Sequence, residues 1–133
     1  VENATDVRPL ETYLGDINLF AVFDNEDIVS NITPNFDAVS KLDGQGLIIS
    51  SSSNQYDFVS RYFCPKYGIN EDPVTGSAHT TLIPYWSEKL NKVSLTAKQV
   101  SKRGGELFCE NTDNRVLIGG NAVLYMKGVI EID

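Results

Sequence analysis

Cysteine is scarce in this sequence, and its scarcity limits the chemistry available. Cys64 and Cys109 are the only two among 133 residues, and they are too far apart along the chain for the close spacing of a zinc site. Two cysteines are also too few for the disulfide framework of a small secreted domain. We therefore expect two reduced, buried thiols in a cytoplasmic protein.

Basic residues and long apolar runs are scarce as well. Lys and Arg total 11 against 18 for Asp and Glu, which gives a net charge of -7 and an isoelectric point near 4.6. So acidic a chain is poorly suited to a phosphate backbone or an anionic membrane surface. The longest apolar runs, such as Ala122 to Met126, are far shorter than the roughly 20 residues that span a bilayer. We expect no nucleic-acid partner and no membrane association.

The N-terminal end lacks the features of a native start. The sequence opens at Val1 with no methionine, and neither the basic region nor the apolar core of a signal peptide follows. We expect this start to be a cut. The hydrophobic content of 41% over 133 residues suits one compact domain, residues 1–133.

Apolar periodicity predicts a series of strands. A two-residue period runs through Tyr56 to Pro65, with Phe58 and Tyr62 on one face. Val59 and Phe63 fall on the other face. The predicted strands are Ile17 to Phe23, Asp27 to Ser30, Leu47 to Ser51, Tyr56 to Pro65, Val93 to Val100, Gly105 to Glu110, Arg115 to Ile118 and Ala122 to Ile132.

Two helices interrupt these strands. Thr33 before Pro34 predicts an N-cap followed by proline at the first helical position, and this helix should end at Gly44. The second helix, Ser77 to Leu90, is apolar on several sides, so other structure should surround it. Pro84 should kink or break this helix near its middle.

Turn residues separate the last strands, at Arg103-Gly104, at Asp113-Asn114 and at Gly119-Gly120-Asn121. The segment Ser101 to Gly105 suits either a tight turn or the lip of a cleft. The pattern as a whole predicts an α+β domain in which a strongly curved, mostly antiparallel sheet wraps around one central helix.

The loop entering the second helix carries the most informative chemistry. Gly76 has no Cβ, so its backbone can approach a ligand closely, and Ser77 is placed to cap the helix. The free amides of the first helical turn attract a carboxylate. Asp72, held by Pro73, offers its own carboxylate to a substrate ammonium or hydroxyl. The same residues also suit an ordinary turn and cap, so composition alone leaves both interpretations open.

The strings on either side of this loop form a specific combination. Residues 72–79 read Asp-Pro-Val-Thr-Gly-Ser-Ala-His. Further strings are Asp57 to Phe63, Pro84 to Trp86, Gln99, Ser101 to Gly105 and Gly119 to Ala122. From about residue 15 to the end, the sequence closely resembles the C-terminal half of the phenazine-biosynthesis PhzF-like family.

The resemblance implies a fold and an activity. The fold would be that of diaminopimelate epimerase, with two similar domains, each a sheet around a central helix, and an active site in the cleft between them. The activity would be proton-transfer isomerisation of a small carboxylate-bearing metabolite, in keeping with secondary-metabolite biosynthesis, with neither pyridoxal phosphate nor metal as cofactor. The family's acid/base glutamate and Gly-His motif belong to an N-terminal domain that this sequence does not include. We expect the chain alone to be inactive, and the complete protein to form a homodimer.

The resemblance also implies residue roles. Asp72 matches the substrate-orienting aspartate and Ser77 the substrate-binding serine, and both count as catalytic positions. The substrate-binding set would be Asp72, Thr75, Gly76, Ser77 and Ala78, with backbone amides of Gly76 and Ser77 holding the substrate carboxylate. Related racemases have a catalytic cysteine where this sequence has Ser77, so a two-cysteine racemisation is not expected.

Five other side chains have both a functional and a structural interpretation. His79 is the only histidine, and packing is favoured over an acid/base role. Arg61 and Arg103 could bind a carboxylate, but ion pairs are favoured. Tyr85 and Trp86 are expected to pack inside the sheet rather than stack on a ligand.

Two functions other than an isomerase half stay open. The helix N-terminus could hold a small acid without turnover, as a binding module. The chain could also be a structural or dimerization domain, although a charged motif entering a central helix is not expected there.

Overall fold

Eight strands and four α-helices are interspersed along the part of the chain that the computed structural model describes, residues 1–112 and 114–132. The strands are β1 (Glu11–Leu14), β2 (Leu19–Val22), β3 (Leu47–Ser52), β4 (Phe58–Phe63), β5 (Glu71–Asp72), β6 (Ser94–Gln99), β7 (Gly105–Asn111) and β8 (Val116–Gly119). The helices are α1 (Glu2–Thr5), α2 (Glu26–Asn31), α3 (Phe36–Ser40) and α4 (Gly76–Leu90), with a 3₁₀ helix at Pro65–Tyr67. The α+β class expected from the sequence is confirmed.

All eight strands form one sheet, in the order β1-β2-β3-β4-β6-β7-β8, with β5 attached to β4. Five of the seven strand pairs are antiparallel, and the pairs β2-β3 and β4-β6 are parallel. The prediction of a mostly antiparallel sheet is therefore correct. In the described pairings β1 and β8 remain at the two ends, so the sheet is not closed.

The two faces of the sheet bury two separate apolar clusters. Phe58 and Tyr62 point toward α4 and pack with its buried residues, among them Leu82. Val59 and Phe63 point the other way, into a cluster with residues of α1, α2 and α3. The alternation predicted for this strand is confirmed, because a strand covered on both faces needs apolar side chains at both parities.

Helix α4 reaches both ends of the sheet. Its Tyr85 donates a hydrogen bond from the hydroxyl to Glu11 of β1 at 3.0 Å, and Lys89 pairs with the same carboxylate at 2.9 Å. At the opposite end, Val116 of β8 packs against the cluster that surrounds α4. Trp86 is buried and stacks on Phe58 with ring centroids 5.8 Å apart, as the packing interpretation expected.

Two predictions in the first third of the chain are wrong. Asp27 to Ser30 is helical, because the Asn25 side chain caps α2 by accepting a hydrogen bond from the Ile28 amide at 3.0 Å. The next helix begins at Phe36 rather than at Pro34, since Asn35 caps it in the same way. It also ends at Ser40, before Gly44.

The start and the middle of α4 also differ from expectation. The helix begins at Gly76 with Thr75 as its N-cap residue, so Ser77 lies inside the first turn and is not the cap. The helix continues through Pro84, so the predicted break does not occur. None of the helices among the described residues is long and apolar enough to cross a membrane.

The predicted last strand, Ala122 to Ile132, is wrong in this structure. Residues 120–132 form neither helix nor strand, and their side chains are exposed. A strand needs a partner edge, and no described strand pairs with this segment. Of the predicted Asp113-Asn114 turn, Asp113 lies outside the described residues.

Candidate active site

Asp72 is carried into the site by β5, the two-residue strand inside the segment that the sequence predicted as loop. It lies opposite Tyr62 of β4, so a short ladder fixes its position against the main sheet. A cavity of about 490 Å³ opens beside it. Its lining contains Asp72, Thr75 and Ser77 together with Gly15, Asp16, Ile17, Asn18, Tyr62, Cys64, Tyr67, Ile69, Thr80 and Thr81.

The N-terminus of α4 opens onto this cavity. Thr75, the N-cap residue, makes no side-chain cap hydrogen bond, and Gly76 and Ser77 are exposed. A Cβ added at Gly76 would meet nothing within 4 Å, so open space lies over that backbone. First-turn amides with solvent access and the positive end of the helix dipole form a suitable place for a carboxylate.

The side chain of Thr75 is turned away from the helix and toward Asp72. Its hydroxyl donates a hydrogen bond to Asp72 Oδ2 at 2.5 Å, which explains why it caps no helix amide. Asp72 Oδ1 accepts no hydrogen bond from a described residue, so it is available to a ligand hydroxyl or ammonium. Asp72, Thr75 and Ser77 thus line one cavity, whereas Gly76 faces a second hollow and Ala78 is buried.

Two further polar groups in the cavity are held in their neutral forms. Burial raises the pKa of Tyr62 to about 12, and its hydroxyl donates to Asn18 Oδ1 at 2.8 Å. Burial and then the charge of Asp72 raise the pKa of Cys64 above its ordinary value. Neither group is a base or a nucleophile near neutral pH, because each keeps its proton.

Two residues weighed in the sequence take structural positions. His79 is fully buried, and its Nδ1 lies 2.8 Å from the carbonyl oxygen of Thr75. Arg61 forms a half-buried ion pair with Glu71 at 2.7 Å and donates to carbonyls at the end of α2, among them that of Ile32 at 2.7 Å. Both observations agree with the structural interpretations.

The segment around Arg103 forms a tight turn, the first of the two alternatives that the sequence left open. Gly104 has φ of 71°, and its amide donates to Ser101 Oγ at 3.0 Å, which closes a tight turn. Arg103 lines a second hollow of about 540 Å³ on the Gly76 side of the helix terminus.

Both cysteines are free and buried, as expected.

The sequence did not identify several residues of the cavity, notably Asp16, Asn18, Tyr62 and Cys64. Asp16 and Asn18 come from the turn before β2, far from the loop in sequence, and only the sheet brings them near. Tyr62 had a usable signal, since its strand parity was predicted correctly. Within the described ranges no three His, Cys, Asp or Glu side chains are grouped to hold a metal ion.

The fold and site together define an α+β domain with a cavity beside the Asp72 carboxylate. This cavity lies at a helix N-terminus where the N-cap residue makes no side-chain hydrogen bond to the helix. A family model described as phenazine biosynthesis-like protein matches residues 5–128. The chain belongs to this family.

Curated relatives and solved structures support the assignment. The chain is 45% identical over 132 residues to an uncharacterized isomerase of Pseudomonas aeruginosa, covering 99% of this chain and 51% of the relative. It is 38% identical to a mouse phenazine biosynthesis-like domain-containing protein, covering 98% and 47%. A crystal structure of a PhzF family protein from Enterococcus faecalis matches with a TM-score of 0.89 at 52% identity, covering 94% of this chain and 48% of that one. The chain therefore spans about half the length of the relatives it matches.

Proposed function

We propose that this chain is the C-terminal domain, residues 1–133, of a two-domain isomerase with the diaminopimelate-epimerase-like fold. The complete enzyme would move a proton on a small carboxylate-bearing metabolite without a cofactor. The observation that carries the proposal is the cavity lined by Asp72, by the N-cap residue Thr75 and by Ser77 in the first turn of α4. Membership of the family, and relatives named as isomerases, support the reaction class.

The contacts of α4 support the helix-wrapped architecture. Six strand spacings separate β1 from β8 along the sheet, which in a flat sheet would be about 29 Å. A helix with its side chains is only about 10 to 12 Å across. The contacts of α4 with Glu11 in β1 and with Val116 of β8 therefore favour a sheet that curves around this helix.

The exposed C-terminal segment supports the existence of a partner. Seven large apolar side chains of residues 123–132 are exposed, and such a run is normally covered in a folded protein. The curated relatives are about twice as long as this chain, so their other half is the natural source of cover. Self-association into a homodimer is the second part of this proposal.

The chemistry is divided between the two domains. In this half the helix amides bind the substrate carboxylate, and Asp72 Oδ1 accepts a hydrogen bond from a substrate hydroxyl or ammonium. Thr75 and Ser77 complete the cavity wall, and the exposed Gly76 and the buried Ala78 are the other members of the proposed binding set. The missing domain supplies the acid/base glutamate, which takes a proton next to a conjugated or carbonyl system and returns it at another carbon. One carboxylate serves both steps when burial raises its pKa.

The test is deuterium incorporation by the complete protein in D₂O, followed by NMR, over small carboxylic acids with a C–H next to a conjugated system. Asp72→Asn should lower kcat/KM by about 10 to 1,000-fold, which corresponds to roughly 1.5 to 4 kcal/mol of transition-state stabilisation. Ser77→Ala should cost less, and Asp43→Asn, an exposed carboxylate outside the cavity, should cost nothing.

Normal turnover by Asp72→Asn would show that the motif is structural. This chain alone should incorporate no deuterium, because the acid/base is absent and a positioned one is worth about 10² to 10⁴-fold. Binding of acids by the complete protein without any exchange would favour the second candidate, a binding module. That candidate is supported by Tyr62 and Cys64, the cavity groups that keep their protons.

A further inference from the structure

Gln99 is a fully buried amide next to the site but outside its cavity. It is the last residue of β6, where Leu95, Ala97 and Gln99 point inward at every second position. A carboxamide removed from water costs free energy unless its donors and acceptor are all used. Its hydrogen bonds therefore show what holds a polar side chain at this place.

All of these bonds go to the Asp72–Thr75 loop. Gln99 Oε1 accepts from the Thr75 amide at 2.7 Å. Its Nε2 donates to the Asp72 carbonyl oxygen at 2.7 Å and to Thr75 Oγ1 at 3.1 Å. Because Thr75 Oγ1 accepts from Gln99, its own proton is directed to Asp72 Oδ2, 2.5 Å away. A relay thus runs from Gln99 through Thr75 to the carboxylate.

Two other side chains hold the same loop without joining this relay. His79 Nδ1 donates to the Thr75 carbonyl oxygen at 2.8 Å, and Ser101 Oγ donates to that of Pro73 at 2.7 Å. Among the side chains of the described residues, Gln99 alone bonds both ends of the loop and alone reaches the Asp72 carboxylate through one intervening hydroxyl. Gln99 therefore does more than stabilise the loop, because its hydrogen bonds also reach the Asp72 carboxylate through Thr75.

The loop also has no room to shift onto the sheet. Gly105 is the register partner of Gln99, and a Cβ added there would lie 2.4 Å from Val74 Cγ2. The loop therefore packs directly against the sheet at the point where Gln99 enters it. The close packing of the loop on the sheet and the fully hydrogen-bonded Gln99 side chain together fix the direction of the Asp72 carboxylate.

We propose that Gln99 is the positioning residue of the candidate site, which directs the Asp72 carboxylate toward the ligand by fixing Thr75. The inference rests on the proposed function and adds to it a residue that touches no ligand. Its consequence is specificity: a well-directed Asp72 should favour acids that carry a hydroxyl next to the carboxylate over otherwise equal acids that lack one.

The test compares L-lactate with propionate, which differ by that hydroxyl, as ligands of the complete protein. Dissociation constants come from shifts of the Ser77 and Ala78 amide signals in ¹⁵N–¹H spectra. The unsubstituted protein should bind lactate more tightly. Gln99→Met, similar in length and without hydrogen-bonding groups, should lower this preference by about tenfold, the equivalent of about 1.4 kcal/mol, the order of one charged hydrogen bond. The Thr75 amide should also exchange with solvent faster.

Ser101→Ala is the matched control, because it removes one hydrogen bond from the same loop but leaves the relay intact. It should lower the melting temperature while leaving the lactate preference unchanged. Gln55→Met, an exposed glutamine, should change neither. If Gln99→Met does not fold, Thr75→Val breaks the same relay at nearly constant volume and should lower the preference equally.

An unchanged preference in Gln99→Met, or in Thr75→Val, overturns the positioning role. So does an equal loss in Ser101→Ala, because loop stability alone would then explain it. If the unsubstituted protein binds neither acid, the proposed function is contradicted, and the inference that rests on it fails as well.

Discussion

His79 illustrates at the scale of one residue how a buried group becomes sensitive to pH. Burial lowers the pKa of His79 below its ordinary value, and the nearby Thr75 carbonyl opposes this only in part. With Nδ1 donating to that carbonyl, Nε2 is the unprotonated nitrogen, and no described group bonds to it. The ring lies against Phe58, at a centroid distance of 5.9 Å. The imidazole is therefore neutral in the folded chain.

A neutral buried histidine predicts a loss of stability in mild acid. The unfolded chain takes up a proton near pH 6.5 that the folded chain does not, so the free energy of unfolding should fall as the pH drops from 7 to 5.5. The slope contributed by one such group reaches at most about 1.4 kcal/mol per pH unit. Urea unfolding of His79→Leu across this window should show a flatter dependence. Equal slopes for both proteins would contradict the assignment.

Helix α4 contains a proline that its surroundings tolerate. Pro84 is exposed, and the helix runs unbroken across it from Gly76 to Leu90. Proline lacks the amide hydrogen that would bond the Thr80 carbonyl, and its ring crowds that carbonyl. The buried side of the helix, with Leu82, Ile83 and Trp86, keeps it in place despite this cost.

Pro84→Ala should therefore stabilise the chain. The restored hydrogen bond and relieved crowding are worth up to about 3 kcal/mol, while the more flexible unfolded chain costs about 0.4 to 1 kcal/mol. We expect a net gain of about 1 to 2 kcal/mol in the free energy of unfolding, measured by urea denaturation. Pro65→Ala is the control and should lower the free energy of unfolding, because Pro65 starts the 3₁₀ helix, where proline fits. A loss of stability in Pro84→Ala would mean that the proline ring makes a needed contact.

At the scale of the whole molecule, the segment after β8, residues 120–132, is exposed along its length. Val123 is 93% and Tyr125 is 97% exposed, and the neighbouring Leu124 and Met126 are exposed as well. Since consecutive residues of an extended segment face opposite ways, apolar side chains at both parities suit a strand covered on both faces. The domain of residues 1–120 offers no such cover among its described elements.

Deleting residues 121–133 should therefore leave the stability of this chain unchanged. The melting temperature should stay the same, and binding of a hydrophobic dye should fall. The same deletion in the complete protein should lower its stability, because there the segment would be covered. Deleting from Val116 onward is the control, and it should destabilise this chain because Val116 packs against the core. A drop in melting temperature for the shorter deletion would show that the segment already stabilises this domain.

The sequence predicted most of what depends on neighbouring residues. Strand parity in β4 was correct because a covered strand shows its faces as a two-residue period. The loop from Asp72 to Ser77 was chosen as the candidate site because its proline restricts the backbone, its glycine leaves the backbone open to a ligand and its aspartate carries a carboxylate. Local signals were also misjudged: Asp27 to Ser30 was predicted as a strand, although Asn25 caps a helix there.

Only the tertiary structure decided the partners of these local features. The Thr75 hydroxyl bonds Asp72 instead of capping a helix amide, and Gln99 meets the Thr75 amide from 24 residues away. The segment Ala122 to Ile132 has a strand-like sequence, yet it pairs with no described strand. Backbone hydrogen bonds between strands need a second edge in space, and apolar periodicity records only which side chains avoid water. The sequence therefore determined which residues turn inward, while contacts between distant segments decided what they meet there.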